Sequence, residues 1–336
     1  MKPLRRLQTV SDGWTVLASI AKANLRGVCV PLIASWNVTF RCNCRCAYCA
    51  SASLAGEELD TTAALTLLDD LTALGMRWVT FSGGEPLLRQ DLGRLIGRAK
   101  GKGLYVRLST NGILVPSRLD ELRGLDMVSI SLDGPEGVHD AVRGRGTFAK
   151  ALNAFDACRG AGIAASAVCT LNQHNINSVD ELLGIAGRAG VSIMFQPATT
   201  WINLGRQPNP VALQVQQYRR VMEHLIELKG HGAAITNSVK GLRYLARWPE
   251  ASAIACFAGR VICSIQPDGG IVACALFEDA CQGGTQQREA PLAERLAAVR
   301  RQKVHCNRCW CAPLVELNYV LSLSPGAIMN VLRIGR

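Results

Sequence analysis

The chain has 336 residues, 49% of them apolar, and a formal net charge of +11. That length and apolar share support one large α/β domain with an appendage, without need of disulfide staples. Lys and Arg are spread along the chain and aromatics make up only 5%, so the positive balance does not point to a nucleic-acid partner.

Residues 1–30 form a preface in which Trp14–Gly27 reads as an amphipathic helix ended by Gly27. Lys22 and Arg26 interrupt its apolar run, so it is not a membrane span. It is expected either to pack on the outside of the following domain or to lie on a membrane surface. From residue 31 a regular alternation begins. Strands are predicted at Pro31–Phe40, Arg77–Ser82, Leu104–Thr110, Met127–Asp133, Ile163–Asn172 and Val191–Pro197. Helices are predicted between them at Thr61–Gly75, Asp91–Gly103, Ser117–Gly124, Thr147–Gly162 and Ser178–Gly190. Such alternation implies a parallel sheet with right-handed crossovers. Six units are too few to close an eight-fold barrel, so the expected fold is α/β, a partial (β/α)6 TIM-like barrel over residues 31–230.

After Pro197 the rhythm stops. Trp201–Pro210 reads as a loop, and helices are predicted near Val211–Lys229 and Ser238–Arg247. Val261–Phe277 reads as a β-hairpin turning at Pro267-Asp268-Gly269-Gly270. Residues 231–320 are thus expected to form a small cysteine-rich extension of hairpin plus helix. Residues 321–336 form an apolar tail broken by Pro325 and Gly326, expected to pack across the barrel mouth or to dock on a membrane with the N-terminal helix.

The cysteines cluster, four at positions 42–49 and seven at 256–311, while Cys29, Cys158 and Cys169 stand apart. No apolar run with a cleavage site follows the basic Met1–Arg6, so the clusters are expected to hold metal in a cytoplasmic protein. Cys42, Cys46 and Cys49 have the spacing C-x3-C-x2-C. Three thiolates on one tight loop can hold three irons of a [4Fe–4S] cube and leave the fourth open to a ligand. A zinc knuckle is the competing reading, but no histidine lies near. Cys44, inside the gap, is expected to be a free thiol.

With Tyr48 before the last cysteine, "CNCRCAYC" resembles the C-x3-C-x-Φ-C motif of the radical SAM superfamily. "SGGEP" (Ser82, Gly83, Gly84, Glu85, Pro86), "STNG" with Ser109 and Asn111, "SLDG" with Ser131 and Asp133, "HDAVRGRG" with Arg143, and "TLN" with Asn172 resemble further motifs of that family. They occur in order, each at or after a predicted strand end. The resemblance implies a [4Fe–4S] cluster that binds S-adenosylmethionine (SAM) at its open iron and cleaves it by one electron. The 5′-deoxyadenosyl radical then takes hydrogen from a substrate. It implies that SGGEP meets the methionine amine, with Glu85 accepting from the ammonium. Arg143 would pair with the carboxylate, and the serine-bearing segments would meet ribose and carboxylate. It also implies a reductase partner such as flavodoxin or ferredoxin.

Cys256, Cys263 and Cys274 around the PDG turn resemble the SPASM/twitch extension of radical SAM enzymes, which carries auxiliary clusters. One auxiliary [4Fe–4S] cluster is expected from these three with one of Cys306, Cys309 or Cys311; Cys281 has no assigned role. The compressed "CNRCWC" departs from the full pattern, and zinc there is the alternative. The expected activity is radical modification of a peptide or small molecule. Two alternatives stand beside it. One is modification of an isoprenoid or hopanoid lipid at a membrane surface, from the faint similarity of Ala23–Leu32 to enzymes of that kind. The other is a non-catalytic iron–sulfur or zinc scaffold.

Overall fold

The computed structural model describes residues 25, 29–49, 51, 54–199, 201–202, 207–250, 254–274, 290–301 and 309–334. Cys281, Cys306 and nearly all of the Trp14–Gly27 segment lie outside the described residues.

Strands β1 (Ile33–Asn37), β2 (Trp78–Ser82), β3 (Tyr105–Thr110), β4 (Met127–Ser131), β5 (Ala165–Leu171) and β6 (Ile193–Pro197) pair in parallel and in chain order. The helices that return the chain are α1 (Thr61–Ala73), α2 (Leu92–Gly101), α3 (Leu119–Leu122), α4 (Glu136–Arg143), α5 (Thr147–Gly160) and α6 (Val179–Arg188). Helix α1 shows why these segments are helical. Asp60 caps it by accepting from the Ala63 amide at 2.8 Å, and Ala64, Leu67, Leu68 and Leu71 repeat at helical spacing and are buried. Apolar strand residues such as Val79, Phe81, Val106, Leu108, Val128 and Ile130 share one continuous core with the helices.

The other face of the strands differs. Ser35 and Thr80 on β1 and β2, and Arg107, Ser129 and Ser166 on β3 to β5, fall on the face opposite those core residues by strand alternation. A closed barrel fills this interior with branched apolar side chains; here it is polar, and Ser35, Thr80 and Arg107 remain half-buried rather than packed away.

The predicted hairpin forms as β9 (Ile262–Ile265) and β10 (Ile271–Val272), after a short antiparallel pair β7 (Trp201–Ile202) and β8 (Gln207–Pro208) within the expected loop. It also does more than extend the chain. β9 pairs in parallel with β1, Ile33 beside Ile262, so the sheet has eight strands in the order β10-β9-β1-β2-β3-β4-β5-β6.

Helices α7 (Val215–Gly230) and α8 (Val239–Leu245) lie where helices are expected, and α9 (Leu292–Arg301) follows the hairpin. The apolar end forms two helices, α10 (Ala312–Leu321) and α11 (Pro325–Ile334). Contrary to the expected mouth-crossing tail, Leu314, Leu317 and Leu321 of α10 pack with Val30, Leu32, Phe257 and Val261. Those residues precede β1 and β9, so α10 covers the end of the sheet opposite the cysteine loop. Packing there removes apolar surface of both α10 and these residues from water. Among the described residues no helix is long and apolar enough to cross a membrane.

Candidate functional site

The cysteine loop leaves β1 at the C-terminal edge of the sheet and is pinned on every side. The Glu58 carboxylate accepts from Thr39 Oγ1 at 2.6 Å and from the Phe40 amide at 3.0 Å. The Gly84 amide donates to the Thr39 carbonyl at 2.9 Å, and the Glu85 amide to the Arg41 carbonyl at 2.8 Å. The Ala47 amide donates to the Val142 carbonyl at 3.0 Å, and Asn111 Nδ2 to Asn43 Oδ1 at 2.7 Å. The glycines of SGGEP serve this contact. A Cβ on Gly84 would stand 2.2 Å from the Arg41 carbonyl oxygen, and one on Gly83, whose φ is +133°, 2.5 Å from that of Thr39.

Cys42 and Cys46 are half-buried and Cys49 is exposed. The three thiols lie in electrostatic range of one another: burial raises the pKa of Cys42 most, and Cys46 and Cys49 raise it further. Cys46 is pulled down to about 7, first by a hydrogen bond with the Cys44 thiol and also by the Arg143 charge. Cys44 is pushed up by the same bond and by burial. The extra thiol in the loop is therefore a buried neutral donor to Cys46.

Behind the loop stands a buried network. Asp133 is fully buried, and its carboxylate accepts from Arg143 Nε at 2.5 Å, Tyr48 Oη at 2.8 Å and the Thr170 amide at 2.9 Å. Arg143 also donates to Tyr48 Oη, lies over its ring, and sets Nη1 3.8 Å from the Cys46 sulfur. Burial raises the Tyr48 pKa, so it remains a phenol; burial opposes the Arg143 charge, but the Asp133 carboxylate outweighs that and holds it protonated. His139 fixes the Asp133 backbone by accepting its amide on Nδ1 at 3.1 Å. Burial pulls His139 down to about 4, which keeps it neutral.

Glu85 does not present its carboxylate to a ligand as expected. It is fully buried and accepts from Thr110 Oγ1 at 2.7 Å, the Asn111 amide at 2.8 Å and the Leu87 amide at 3.1 Å. It joins SGGEP to STNG, with Pro86 opening the 3-10 turn it caps. Asn172 is likewise buried and shapes its own turn, bonding the Thr170 carbonyl at 2.8 Å and the His174 amide at 2.9 Å. Ser82, Gly83, Gly84, Ser109 and Ser131 are half-buried at the open edge. Glu58, Asn43, Thr110 and His139 are site residues with no assigned role in the sequence reading; Asn43, Thr110 and His139 lie within quoted motifs, and only Glu58 carried no signal.

Among the described residues no three His, Cys, Asp or Glu side chains converge on a single metal ion. The chemistry of the donor set, three thiols on one loop with Cys46 lowered beside Arg143, fits a cube with one open iron. At the other end of the sheet Cys256, Cys274, Cys309 and Cys311 are half-buried. Cys263 does not fit a ligand role. It is fully buried in the apolar core, where its thiol bonds with Cys29 and is pushed up by that bond and by burial.

The radical SAM superfamily profile matches residues 36–185. The mycofactocin maturases MftC of Mycolicibacterium smegmatis and Mycobacterium ulcerans are 31% and 30% identical over 260 and 262 residues, 74% of this chain in both cases. The chain spans 65% and 69% of their lengths. Pre-heme d1 synthase of Dinoroseobacter shibae is 31% identical over 243 residues, 68% of this chain and 60% of the synthase. Among solved structures, SuiB of Streptococcus suis bound to precursor peptide SuiA shares the fold, with TM-score 0.62 and 15% identity over 80% of this chain and 65% of SuiB. A three-cysteine loop braced by SGGEP, the barrel that carries it, and these relatives agree: the chain is an enzyme and belongs to the radical SAM superfamily.

Proposed function

We propose that the protein modifies a peptide by radical chemistry, with Cys42, Cys46 and Cys49 as ligands of the SAM-binding [4Fe–4S] cluster. When bound, cluster and SAM supply a one-electron cleavage and a 5′-deoxyadenosyl radical able to take hydrogen from an unreactive C–H bond. The observation that carries this reading is the loop geometry: three thiols in mutual range, held between SGGEP and the Asp133–Arg143–Tyr48 network. Ser82, Gly83, Gly84, Ser109, Ser131 and Tyr48 line the edge where SAM would bind. Arg143 supplies positive charge there for the SAM carboxylate. Glu85, Asn111, Asp133 and Asn172 position these segments from inside the fold. Enclosure by the sheet keeps water from the reacting carbon.

A peptide substrate is supported by the shared fold with a peptide-bound enzyme and by similarity to maturases. Similarity to pre-heme d1 synthase supports the second reading, a small-molecule substrate. An auxiliary cluster is proposed from Cys256, Cys274, Cys309 and Cys311, with Cys306 as a further candidate, and a flavodoxin or ferredoxin as electron donor. The test is anaerobic reconstitution with iron and sulfide, followed by SAM and dithionite. 5′-Deoxyadenosine is expected from the wild type; formation no higher than in Cys42→Ala would refute the enzyme reading. Synthetic peptides from short reading frames beside the gene then test the substrate, by a mass change that requires SAM.

A further inference from the structure

Arg107 is the one charged side chain on the polar face of the described sheet strands β1–β6 and β9. Its Nη2 donates to Ser129 Oγ at 2.8 Å, and Ser129 Oγ lies 3.3 Å from Ser166 Oγ. Its Cζ stands 5.9 Å from the Trp78 ring, which packs on Tyr105 at 4.7 Å between centroids. Among the described residues no carboxylate forms an ion pair with it, and its Nε is buried with no hydrogen-bond partner. Burial pulls its pKa down, and only Tyr105 opposes that.

This is an unusual state for a guanidinium. Desolvating an unpaired charge costs several kcal/mol, and buried charges are ordinarily paired. Two other arginines held inside the fold are paired, Arg143 with Asp133 at 2.5 Å and Arg89 with Asp91 at 2.7 Å. Arg107 has hydroxyls and an aromatic floor around it instead, and among the described residues no carboxylate pairs with it. A planar guanidinium matches a carboxylate in bidentate fashion. A phosphate dianion would call for a second cation, and these strands supply none.

Position adds to the chemistry. Arg107 is level with Met127 in the β3–β4 register, yet its guanidinium bonds Ser129, two residues nearer the cofactor edge. From Arg107 to Asn111 is about 13 Å along the strand. A molecule gripped at Arg107 therefore extends toward the cysteine loop.

We propose that Arg107 and Ser129, above the Trp78–Tyr105 floor, form a carboxylate-binding subsite that anchors the substrate inside the barrel. The subsite rests on the proposed activity for the direction in which the substrate reaches. Carboxylate binding is measured without turnover, so the two readings fail separately.

The experiment is calorimetric titration of the anaerobically reconstituted protein with 3-phenylpropionate and its uncharged isostere 3-phenylpropanamide. The wild type is expected to bind the acid about tenfold more tightly than the amide, a difference of about 1.4 kcal/mol. Arg107→Gln is expected to abolish that preference while melting at or above the wild-type temperature, because an unpaired buried charge has been removed. An arginine with a purely structural role would lower it. Arg107→Lys and Ser129→Ala are expected to weaken the preference partly, and they decide the matter if Arg107→Gln does not fold. Equal affinity for acid and amide, no binding of the acid at millimolar concentration, or a preference that survives Arg107→Gln would overturn the proposal. Inorganic phosphate displacing the acid with higher affinity would overturn the carboxylate assignment.

Discussion

Arg143 sets its Nε 2.5 Å from Asp133 Oδ2 and its Nη1 3.8 Å from the Cys46 sulfur. One side chain thus ties the fully buried carboxylate that follows β4 to a thiol of the cysteine loop. The positive charge beside Cys46 is held by a buried ion pair with Asp133, so added salt screens it little.

The pair is expected to be strongly coupled. Arg143→Met leaves Asp133 with only Tyr48 and the Thr170 amide, and a buried charge that loses its partner costs about 3–5 kcal/mol. Urea unfolding of the cluster-free protein measures this. The double variant Asp133→Asn/Arg143→Met should lose less than the two single losses added, by about 1 kcal/mol or more. Strict additivity would show that the two residues act independently.

His139 predicts a pH dependence. Burial lowers it from 6.5 to about 4, so protonation favours the unfolded chain. Its contribution is complete above pH 6.5 and is lost as pH falls from 6.5 through about 4. The difference amounts to about 3 kcal/mol at the acid end. In His139→Asn, which keeps an acceptor for the Asp133 amide, the acid slope of stability over that interval should flatten. An unchanged slope in urea titrations across that range would assign it to other groups.

Gly84→Ala should dislodge the cysteine loop, since its Cβ would meet the Arg41 and Phe40 carbonyls at 2.2 and 2.6 Å. Iron bound per chain after reconstitution is expected to fall by half or more. Gly97→Ala on α2, where a Cβ meets nothing within 4 Å, is the control and should retain full iron while gaining about 0.5–1 kcal/mol of stability.

The cysteines divide by burial. Cys46→Ala is expected to lose the SAM-binding cluster, whereas Cys44→Ala and Cys263→Ala should keep the wild-type iron content. Cys44→Ala also removes a donor to the Cys46 sulfur, so the midpoint potential of the cluster, followed by electron paramagnetic resonance, should move to more negative values. Iron loss in Cys263→Ala would restore it as a ligand.

The strands and helices of the barrel were legible because their signals are local: each strand is a short run holding β-branched or aromatic residues, and helices such as α1 repeat their apolar positions. What escaped reading depends on distant contacts. Pro325 reads as a breaker inside an apolar run, yet proline in the first turn of a helix is well placed, and α11 begins on it. Helix α4 is only eight residues long and its motif drew attention to Arg143 rather than to its periodicity. Nothing in the PDG hairpin says that its partner is β1. Glu85 shows the same limit within the site, since a carboxylate aimed at a ligand and one bonded to Thr110 and two amides are written with the same letter.

The parallel pairing of β9 with β1 has a consequence for how the protein is made. On a ribosome β1 emerges first among the sheet strands, and β2 can join it after one helix. Its other edge waits for a strand encoded beyond every barrel helix. Until then a row of unpaired backbone groups beside the oxygen-sensitive loop is open to strand addition from other chains. Early release or nicking between α8 and β9 would leave that edge permanently bare, so such fragments should aggregate even though all six β/α units are present.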